Sequence, residues 1–310
     1  SQRLFNLNIF FDNVNLSSSS GPNGFAKKLI ESLKNDHKTE VDYQFDQSKK
    51  YDVQLAFILA NFKAAPIIQR LDGIYFNTDQ DYQNLNAPIY ATYKAADSVI
   101  FQSDFNKRLS ESYFGHHDDP HVIHNGTDFQ KISAIKPLES PALDRFDNVW
   151  SCASSWRPHK RLEANVSYFL EHADTNDCLV IAGENPDYRC DDPRVLYAGH
   201  LNWETMIGLF KRSTTFIHLS WLDHCPNVVV DANVAGCKIV CSSSGGTREI
   251  AGKNATIINE EEWDFSPIKL YHPPKLDFTK NCVNDLDCDL TITAVSRKYL
   301  DIFKQYNNLD

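Results

Sequence analysis

Apolar and polar positions follow two alternating periods along the first part of the chain. Short apolar runs predict buried strands, as in LFNLNIFF at 4–11 and SVIFQS at 98–103. Apolar residues three and four positions apart predict amphipathic helices, as in GFAKKLIESLKND at 24–36 and DFNKRLSESYFG at 104–115. Strands that alternate with helices indicate a parallel sheet covered on both faces, so the pattern predicts an α/β fold.

A break in this alternation predicts two domains. The polar stretch TDFQKISAIKPLESPALDRFDN at 127–148 contains two prolines and shows no clear period, which is typical of a linker. The alternation restarts with VWSCASS at 149–155 and continues to ATIINE at 255–260, and an amphipathic pattern at 291–308 predicts a last helix. We therefore expect an N-terminal Rossmann-like domain at 1–140, a C-terminal Rossmann-like domain at 141–290 and a C-terminal helix at 291–310 that can pack back on the first domain.

Doubly wound domains of this kind bind ligands at the carboxyl ends of their strands, where the strand order reverses. Two such domains facing each other would place a cleft between two sets of strand ends. The expected architecture is therefore two doubly wound Rossmann-like domains that face a cleft, with a short first domain.

Charge and hydropathy narrow the class of partner. The 310 residues carry a formal charge of −10, which argues against a nucleic-acid partner because such proteins present a basic face. No stretch approaches the roughly 18 apolar residues of a membrane span. The N-terminal apolar run carries Asn6 and Asn8 and ends in Asp12, unlike a signal peptide. These features predict a soluble, cytoplasmic protein without a transmembrane segment.

Three short motifs invite a metal-binding interpretation, but each is better explained as a turn or a solvated loop. DQD at 79–81 and DLDCD at 285–289 match an Asp-x-Asp signature only three letters long, and HHDDPHVIH at 116–124 lacks a clear ligand geometry. We expect no metal. Cys282 and Cys288 could pair, although nothing in their spacing requires it.

The most informative stretch runs from the apolar run TTFIHLS at 214–220 through Asp223 to PNVVVDANVAG at 226–236. Asp223 follows a predicted strand and lies on the loop at its carboxyl end. Pro226 suits the first turn of the next helix, whose free N–H groups at Asn227, Val228 and Val229 would bind an anion. Asp231 lies one turn further on the same side. The segment offers an acid, backbone donors and a second acid, which suits a nucleoside diphosphate sugar.

This stretch resembles the Glu-x7-Glu motif of the retaining glycosyltransferases of family 4, with Asp223 and Asp231 in the two Glu positions. Other parts of the chain resemble successive elements of the same family, in the same order, so that the resemblance covers nearly the whole chain. They are GPNGFAKKL (21–29), IIQRLDGIY (67–75), ADSVIFQSDFNKRLSESYFG (96–115), VIHNGTD (122–128), LVIAGE (179–184), VLYAGHLNWETMIGLFKRS (195–213) and CKIVCSSSGGTREI (237–250).

The resemblance implies a GT-B fold and transfer of a sugar from a nucleotide-sugar donor to a carbohydrate or glycoconjugate acceptor, with retention and with no metal or other cofactor. It implies catalytic roles for Asp223, Lys160, Arg157 and Asp72. For the donor it implies that Asp231 holds the ribose, that Pro226, Asn227 and Val228 frame the diphosphate, and that Gly199, His200 and Leu201 lie near the base. Gly21 and Gly24 would let the backbone approach the phosphates or the sugar, and Arg70 and Asp72 would lie on the acceptor side.

Three departures from the family keep other functions open. Aspartates are one methylene shorter than glutamates, the first domain is short, and Ser155 stands where the family has an arginine, with Arg157 nearby. One alternative is a non-catalytic nucleotide-sugar or glycan-binding protein of the same fold. The other is a nucleotide-sugar epimerase or a phosphorylase. Asp72 could also be a plain turn residue before Gly73.

Overall fold

The chain forms two compact units in a computed structural model that describes residues 7–18 and 20–307. One unit combines the residues up to Asp128 with those from Asp289 onward, and the other is Phe129–Cys288. Residues 4–6 of the first predicted strand and Asn308 of the last predicted helix lie outside the described residues.

The first unit is a parallel sheet with the strand order β2-β1-β3-β4-β5-β6. The order reverses between β1 and β3, because the chain pairs β2 on one side of β1 and then crosses to the other side. Strand β2, at the edge of this sheet, has only two residues. The strands are β1 Ile9–Asp12, β2 Val41–Asp42, β3 Val53–Phe57, β4 Ile67–Leu71, β5 Ser98–Phe101 and β6 Pro120–Val122, and the helices are α1 Gly21–His37, α2 Tyr82–Ala95, α3 Asp104–Phe114 and α10 Ile292–Lys304.

Helix α10 packs against α1 on this sheet. The ring of Tyr299 lies 5.8 Å from that of Phe25, and the ring of Phe303 lies 6.3 Å from that of Phe11, measured between centroids. The hydroxyls of Ser32 and Ser296 are 2.7 Å apart across the same contact. The apolar stripe predicted for the last helix is therefore buried in the first unit.

The second unit is a sheet with the order β13-β12-β11-β10-β7-β8-β9, in which only β13 pairs antiparallel. The order reverses between β7 and β10. The α/β class with parallel sheets is thus confirmed. The strands are β7 Asn148–Ala153, β8 Asp177–Ala182, β9 Val195–Gly199, β10 Ser213–His218, β11 Lys238–Ser242, β12 Thr256–Ile258 and β13 Asn281–Val283, and the helices are α4 Phe129–Ala134, α5 Pro141–Asp144, α6 Leu162–His172, α7 Trp203–Arg212, α8 Asn227–Val234 and α9 Thr247–Ile250.

The polar stretch that predicts a linker packs on the second unit. Lys211, in the last turn of α7, donates to the carbonyls of Ile132 (2.9 Å) and Ile135 (2.5 Å). The N–H of Leu138 donates to the carbonyl of Gly208 at 2.9 Å. These contacts hold the segment against α7, so the expected boundary at residue 140 falls inside the second unit. The sequence pattern could not show this packing, because the hydrogen bonds from Lys211 to backbone carbonyls do not depend on any periodic spacing of residues.

No helix in residues 7–18 and 20–307 is long and apolar enough to cross a membrane. Each of the eight cysteines lies in that part of the chain and is a free thiol, including Cys282 and Cys288.

Glycine is required where the loop after β8 passes the loop after β7. Gly183 has a φ of +110°, and a Cβ built on it would lie 1.7 Å from the carbonyl oxygen of Ser154. Gly236, at the end of α8, has a similar φ of +102° but open space around it. Substitution of Gly236 therefore tests backbone strain alone, whereas substitution of Gly183 tests backbone strain together with steric overlap.

We expect Gly236→Ala to lower the free energy of unfolding by about 1–2 kcal/mol through backbone strain alone. Gly183→Ala should lose about 1–3 kcal/mol more, because the backbone of the neighbouring loop must move. Urea unfolding of both variants measures the difference. Equal losses would show that the two loops are not closely packed.

Candidate functional site

Two loops meet where the strand order of the second unit reverses, at the carboxyl ends of β7 and β10. The loop after β7 carries Lys160, and the loop after β10 carries Asp223. Lys160 Nζ donates to Asp223 Oδ2 at 3.0 Å, and His218 Nε2, at the end of β10, lies 2.9 Å from the same oxygen. Parallel strands deliver their loops to one edge of a sheet, which is why residues 63 positions apart form this pair.

The site holds Asp223 as a carboxylate. Burial alone would raise the pKa of the Asp223 carboxyl, but the charge of Lys160 and hydrogen bonds from His218 and Lys160 hold that pKa well below its usual range. Burial and the nearby Lys160 lower the pKa of His159 to about 4. Burial also lowers the pKa of His224 to about 4, against the opposing charge of Asp223. His159 and His224 are thus neutral near pH 7.

The Gly-Gly pair after β11 supports the backbone of Asp223. Gly246 donates its N–H to the carbonyl of Asp223 at 2.7 Å. Gly245 has a φ of +72°, and a Cβ there would lie 2.2 Å from the same carbonyl oxygen. Leu222 also has a positive φ, of 58°, and donates its N–H to the hydroxyl of Ser244 at 3.2 Å. The loop after β11 therefore packs tightly on the residue that carries the acid.

A buried ion pair anchors the loop that carries Lys160. Arg161 donates from both terminal nitrogens to the two carboxylate oxygens of Glu260, each at 2.8 Å. The same guanidinium donates to the carbonyls of Leu219 (3.2 Å) and Pro274 (2.8 Å). A bidentate pair fixes geometry as well as charge, so Arg161 ties the loops after β7, β10 and β12 together beside Lys160.

Helix α8 begins at Asn227, with Pro226 as its N-cap rather than in its first turn. Pro226 makes no side-chain cap hydrogen bond. A helix N-terminus carries partial positive charge. The first turn of α8 therefore favours an anion, four residues after Asp223.

Asp231 lies on α8 but is only 2% exposed. The indole Nε1 of Trp203, the first residue of α7, donates to Asp231 Oδ2 at 3.0 Å. Asp231 is buried because α8 packs against α7 and turns this acid toward Trp203. Asp223 is mostly buried as well, with 15% of its side chain exposed.

The other donor-side candidates lie on the surface. Gly199, with a φ of +69°, and His200 are exposed at the end of β9, and Leu201 is half-buried. Arg157 is exposed at the start of a short 3-10 helix, Pro158–Lys160, and so is Ser155. The structure thus separates Arg157 from the buried pairing of Lys160.

In the first unit, Arg70 does not have the exposed position that a contact with an acceptor requires. Its side chain is fully buried and donates to Asp72 Oδ1 (2.5 Å), Asn125 Oδ1 (2.6 Å) and the hydroxyl of Tyr299 (3.1 Å). Strand β4 is buried on both faces along its whole length, which explains the burial of Arg70. Asp72, the next residue on this side of the strand, is 15% exposed and follows the carboxyl end of β4.

Gly21 and Gly24 form the first turn of α1, whose N-cap Ser20 makes no side-chain cap bond. A Cβ at Gly24 would meet no atom within 4 Å. Packing among residues 7–18 and 20–307 therefore does not require glycine at position 24.

The residues of the three Asp-rich and His-rich motifs make caps and turns. Asp81 caps α2 through the N–H of Asn84 (3.3 Å), and Asp289 accepts from the N–H of Thr291 (2.9 Å). His117 Nε2 lies 2.9 Å from the carbonyl oxygen of Ala96. Within residues 7–18 and 20–307, no group of three or more His, Cys, Asp or Glu side chains could hold a metal ion.

The strands and loops that build this site lie in a recognised domain. Residues 149–266 match the family model described as Glycosyl transferases group 1. The matched part contains Lys160, Asp223 and Asp231 together with Glu260. No curated protein matches the chain in sequence.

Solved structures share the fold over nearly the whole chain. HepE from Anabaena, in complex with UDP and glucose, is 13% identical with a TM-score of 0.65, covering 96% of this chain and 100% of HepE. Sucrose-phosphate synthase from Thermosynechococcus elongatus is 11% identical with a TM-score of 0.68, covering 96% and 98%. MnaA from S. aureus, in complex with UDP, is 12% identical with a TM-score of 0.57, covering 98% of each chain. At these identities the likeness shows the fold, which matches that of GT-B glycosyltransferases.

Sequence reasoning missed three residues that support the site. His218 contacts Asp223, Trp203 contacts Asp231, and Glu260 anchors Arg161. The sequence could have indicated His218, because this residue ends the strand whose loop carries Asp223. Nothing in the sequence indicates Trp203 or Glu260, since their partners are 28 and 99 positions away in the chain.

We expect Asp223→Asn to lower the free energy of unfolding at pH 7 by about 1.5–3 kcal/mol, since it weakens hydrogen bonds between charged groups. The folded pKa of Asp223 lies below the unfolded value of about 3.9. Its charge therefore contributes stability that is complete above that unfolded value and is lost as the pH falls through the folded pKa. Urea unfolding at a series of pH values should show the two proteins converging as the solution becomes acidic.

Asp192→Asn is the matched control, because Asp192 pairs with Arg194 at the surface, 3.1 Å away. It should cost no more than about 0.2–1 kcal/mol, as exposed ion pairs do. Equal losses in the two variants, or a loss at Asp223 that does not change with pH, would contradict the prediction that the buried charge of Asp223 stabilises the fold more than a surface ion pair does.

Proposed function

We propose that the protein is a metal-independent retaining glycosyltransferase that takes its sugar from a nucleotide-sugar donor and transfers it to a carbohydrate or glycoconjugate acceptor. The observation that carries this proposal is the pair of Lys160 and Asp223, 3.0 Å apart and beside the N-terminus of α8, at the strand-order reversal of the part of the chain that matches Glycosyl transferases group 1. Uridine diphosphate is the first nucleotide to test, because HepE and MnaA were solved with UDP.

The donor is assigned to the second unit with its diphosphate at the start of α8. The amides at Asn227 and Val228 supply backbone donors, and Lys160 supplies a positive charge on the other side. In the ligand-free structure Lys160 is held by Asp223, so a diphosphate would share this lysine with the acid. The sugar then lies next to Asp223, whose carboxylate can accept from its hydroxyls.

Asp231 is assigned to the ribose hydroxyls, and Gly199, His200 and Leu201 to the base. Trp203 holds one oxygen of Asp231 before the donor binds. A ribose hydroxyl must therefore share Asp231 with the indole or displace it.

Without a metal, the protein itself must stabilise the negative charge of the leaving diphosphate. The leaving diphosphate gains negative charge in the transition state, and fixed positive groups must stabilise it there. Lys160 and the N-terminus of α8 are the buried or partly buried candidates, whereas Arg157 would have to fold in from the surface. Departure of the diphosphate and entry of the acceptor on the same face of the sugar, through a short-lived ion pair, gives retention.

Substitution of the two aspartates should affect different steps, one the binding of UDP and the other turnover. Asp231→Asn should weaken binding of UDP about ten- to a hundredfold, since it loses a charge-assisted hydrogen bond to the ribose. Asp223→Asn should not weaken UDP binding, because its assigned partner is the sugar that UDP lacks and because Lys160 would no longer pair with an acid. Its effect should be a loss of turnover with the intact donor. Calorimetry with UDP and steady-state kinetics with UDP-glucose measure the two effects.

Thermal unfolding of each variant must accompany these measurements, because both acids are largely buried. Asp192→Asn, which removes a surface pair in the same unit, should change neither affinity nor turnover. Small and equal effects of both substitutions on binding and kinetics would contradict the assigned roles. Turnover of donor without an acceptor, or dependence on inorganic phosphate, would indicate an epimerase or a phosphorylase instead, and donor binding without turnover would indicate a binding protein.

Chelation should leave the activity intact, because the charge of the leaving group is assigned to Lys160 and the α8 N-terminus. The test compares release of UDP before and after EDTA treatment, with Lys160→Ala as the variant that should lose turnover. Complete loss in EDTA that Mn²⁺ or Mg²⁺ restores would contradict this assignment.

A further inference from the structure

Two strained turns adjoin the two charged residues of the site. Arg161, directly after Lys160, has a φ of 56°, and Leu222, directly before Asp223, has a φ of 58°. Neither residue is glycine, and a side chain makes this left-handed conformation costly. Such backbone strain persists only where the surrounding structure holds it, and it concentrates at functional sites. The contacts that hold Arg161 and Leu222 therefore bear on how Lys160 and Asp223 are placed.

One buried acid, Glu260, holds the turn after Lys160. Its carboxylate accepts from both terminal nitrogens of Arg161, and only 6% of its side chain is exposed. Because the far end of the Arg161 side chain is fixed in this way, its backbone cannot leave the left-handed conformation without breaking the ion pair. The pair therefore fixes the backbone at Arg161 as well as the side chain.

The same acid is linked to the turn before Asp223 through two serines. Ser242, the last residue of β11, donates its hydroxyl to Glu260 Oε2. The hydroxyl oxygens of Ser242 and Ser244 are 2.8 Å apart, and Leu222 donates its N–H to the Ser244 hydroxyl at 3.2 Å. A hydroxyl has a single hydrogen. Since Ser242 gives its hydrogen to the carboxylate, Ser244 is the donor to Ser242, and the Ser244 oxygen accepts from Leu222.

A continuous chain of hydrogen bonds therefore joins the two strained turns. In order, it consists of Leu222, Ser244, Ser242, Glu260 and Arg161. Every donor in it is directed toward the carboxylate of Glu260, and hydrogen bonds to an ionised group are stronger than those between neutral groups. A fold often tolerates apolar residues in place of a buried ion pair. Support of the fold therefore does not by itself explain why the chain ends at two strained turns beside the site.

We propose that Glu260 and Ser244 are positioning residues that set the placement of Lys160 and Asp223 for the transfer step. The inference rests on the proposed function, in which Lys160 faces the diphosphate and Asp223 faces the sugar. Glu260 holds the left-handed turn after Lys160, and Ser244 holds the left-handed turn before Asp223. Loss of either contact lets one turn relax to a commoner conformation, which moves the charged side chain next to it.

Turnover of UDP-glucose by the whole chain measures this placement. Release of UDP is followed with the methyl glycosides of glucose, galactose, mannose and N-acetylglucosamine as acceptors. Ser244→Ala should lower kcat by about ten- to a hundredfold, because a displacement of about 1 Å in a reacting group can cost that much. The affinity for UDP should change less than kcat, since the N-terminus of α8 also favours the diphosphate.

Ser213→Ala is the matched control, because Ser213 is a buried serine of the same unit. It lies at the start of β10, at the opposite end from the loop that carries Asp223, and donates its hydroxyl to the carbonyl of Leu209 at 2.7 Å. The variant loses a buried hydrogen bond as Ser244→Ala does. It should keep wild-type kcat even where its melting temperature falls.

A double variant distinguishes positioning from support of the fold. Glu260→Gln should lower both the melting temperature and kcat, because Arg161 stays buried without a charged partner. Arg161→Met combined with Glu260→Met removes both buried charges, and apolar side chains of similar volume often restore stability at such a pair. We expect the double variant to melt at a higher temperature than Glu260→Gln without regaining kcat. Recovery of kcat in the double variant would overturn the role of Glu260.

Unfolding in urea tests the same coupling without any donor. Asp223→Asn is made in the wild type, in Ser244→Ala and in Ser213→Ala, and the free energy of unfolding is measured for each protein. Because Ser244→Ala should already loosen the pair of Lys160 and Asp223, the loss caused by Asp223→Asn should be smaller in that background. It should be unchanged in the Ser213→Ala background, since distant substitutions add. Additive losses with Ser244→Ala would overturn the positioning role of Ser244.

The two kinds of measurement separate this inference from the proposed function. A wild-type protein that neither binds UDP nor turns over UDP-glucose would contradict the proposed function, and the unfolding measurements would still decide whether Ser244 and Asp223 are coupled. In an active wild type, wild-type kcat in Ser244→Ala would overturn the inference and leave the proposed function standing.

Discussion

Parallel pairing of neighbouring strands is the constraint on which the rest of the structure depends. Two parallel strands cannot be joined by a tight turn, so the chain must cross the sheet between them, and most of these crossings contain a helix. All strands that run parallel then end at the same edge of their sheet. In the second unit this brings Lys160, Asp223 and Glu260 together from loops that are far apart in the chain. In the first unit it brings Asp72, Gln102 and Asn125 together in the same way.

Charge at these edges is balanced locally. Asp223 is paired with Lys160, Arg161 with Glu260 and Arg70 with Asp72, and each pair is largely removed from solvent. A buried charge that lost its partner would be costly, which makes the loops depend on one another. The pairs nevertheless differ in what they leave available. Arg161 uses both oxygens of Glu260, whereas Arg70 leaves one oxygen of Asp72 without a partner in the described part of the chain.

The two aspartates of the site have different surroundings in the folded protein. Asp223 contacts Gly245 and Gly246, so the loop that carries it is held close to the loop after β11. Asp231 is turned toward Trp203 and is almost fully buried. One acid therefore lies beside Lys160 and His218 at the end of a strand, and the other is held by a neutral donor from α7.

The sequence by itself determined the α/β class, the restart of the pattern after residue 148 and the position of Asp223 on a loop after a strand, because each follows from periodicity within a few residues. It also marked the Gly-Gly pair, though not its contact with Asp223. Only the tertiary structure decided that Arg70 is buried, that the segment at 129–143 packs on α7, and that Trp203 holds Asp231. These are contacts between residues far apart in sequence, and they depend on which faces of the helices and strands meet. The spacing of residues along the chain does not show which faces pack together, because one apolar stripe or one polar residue is compatible with several different partners.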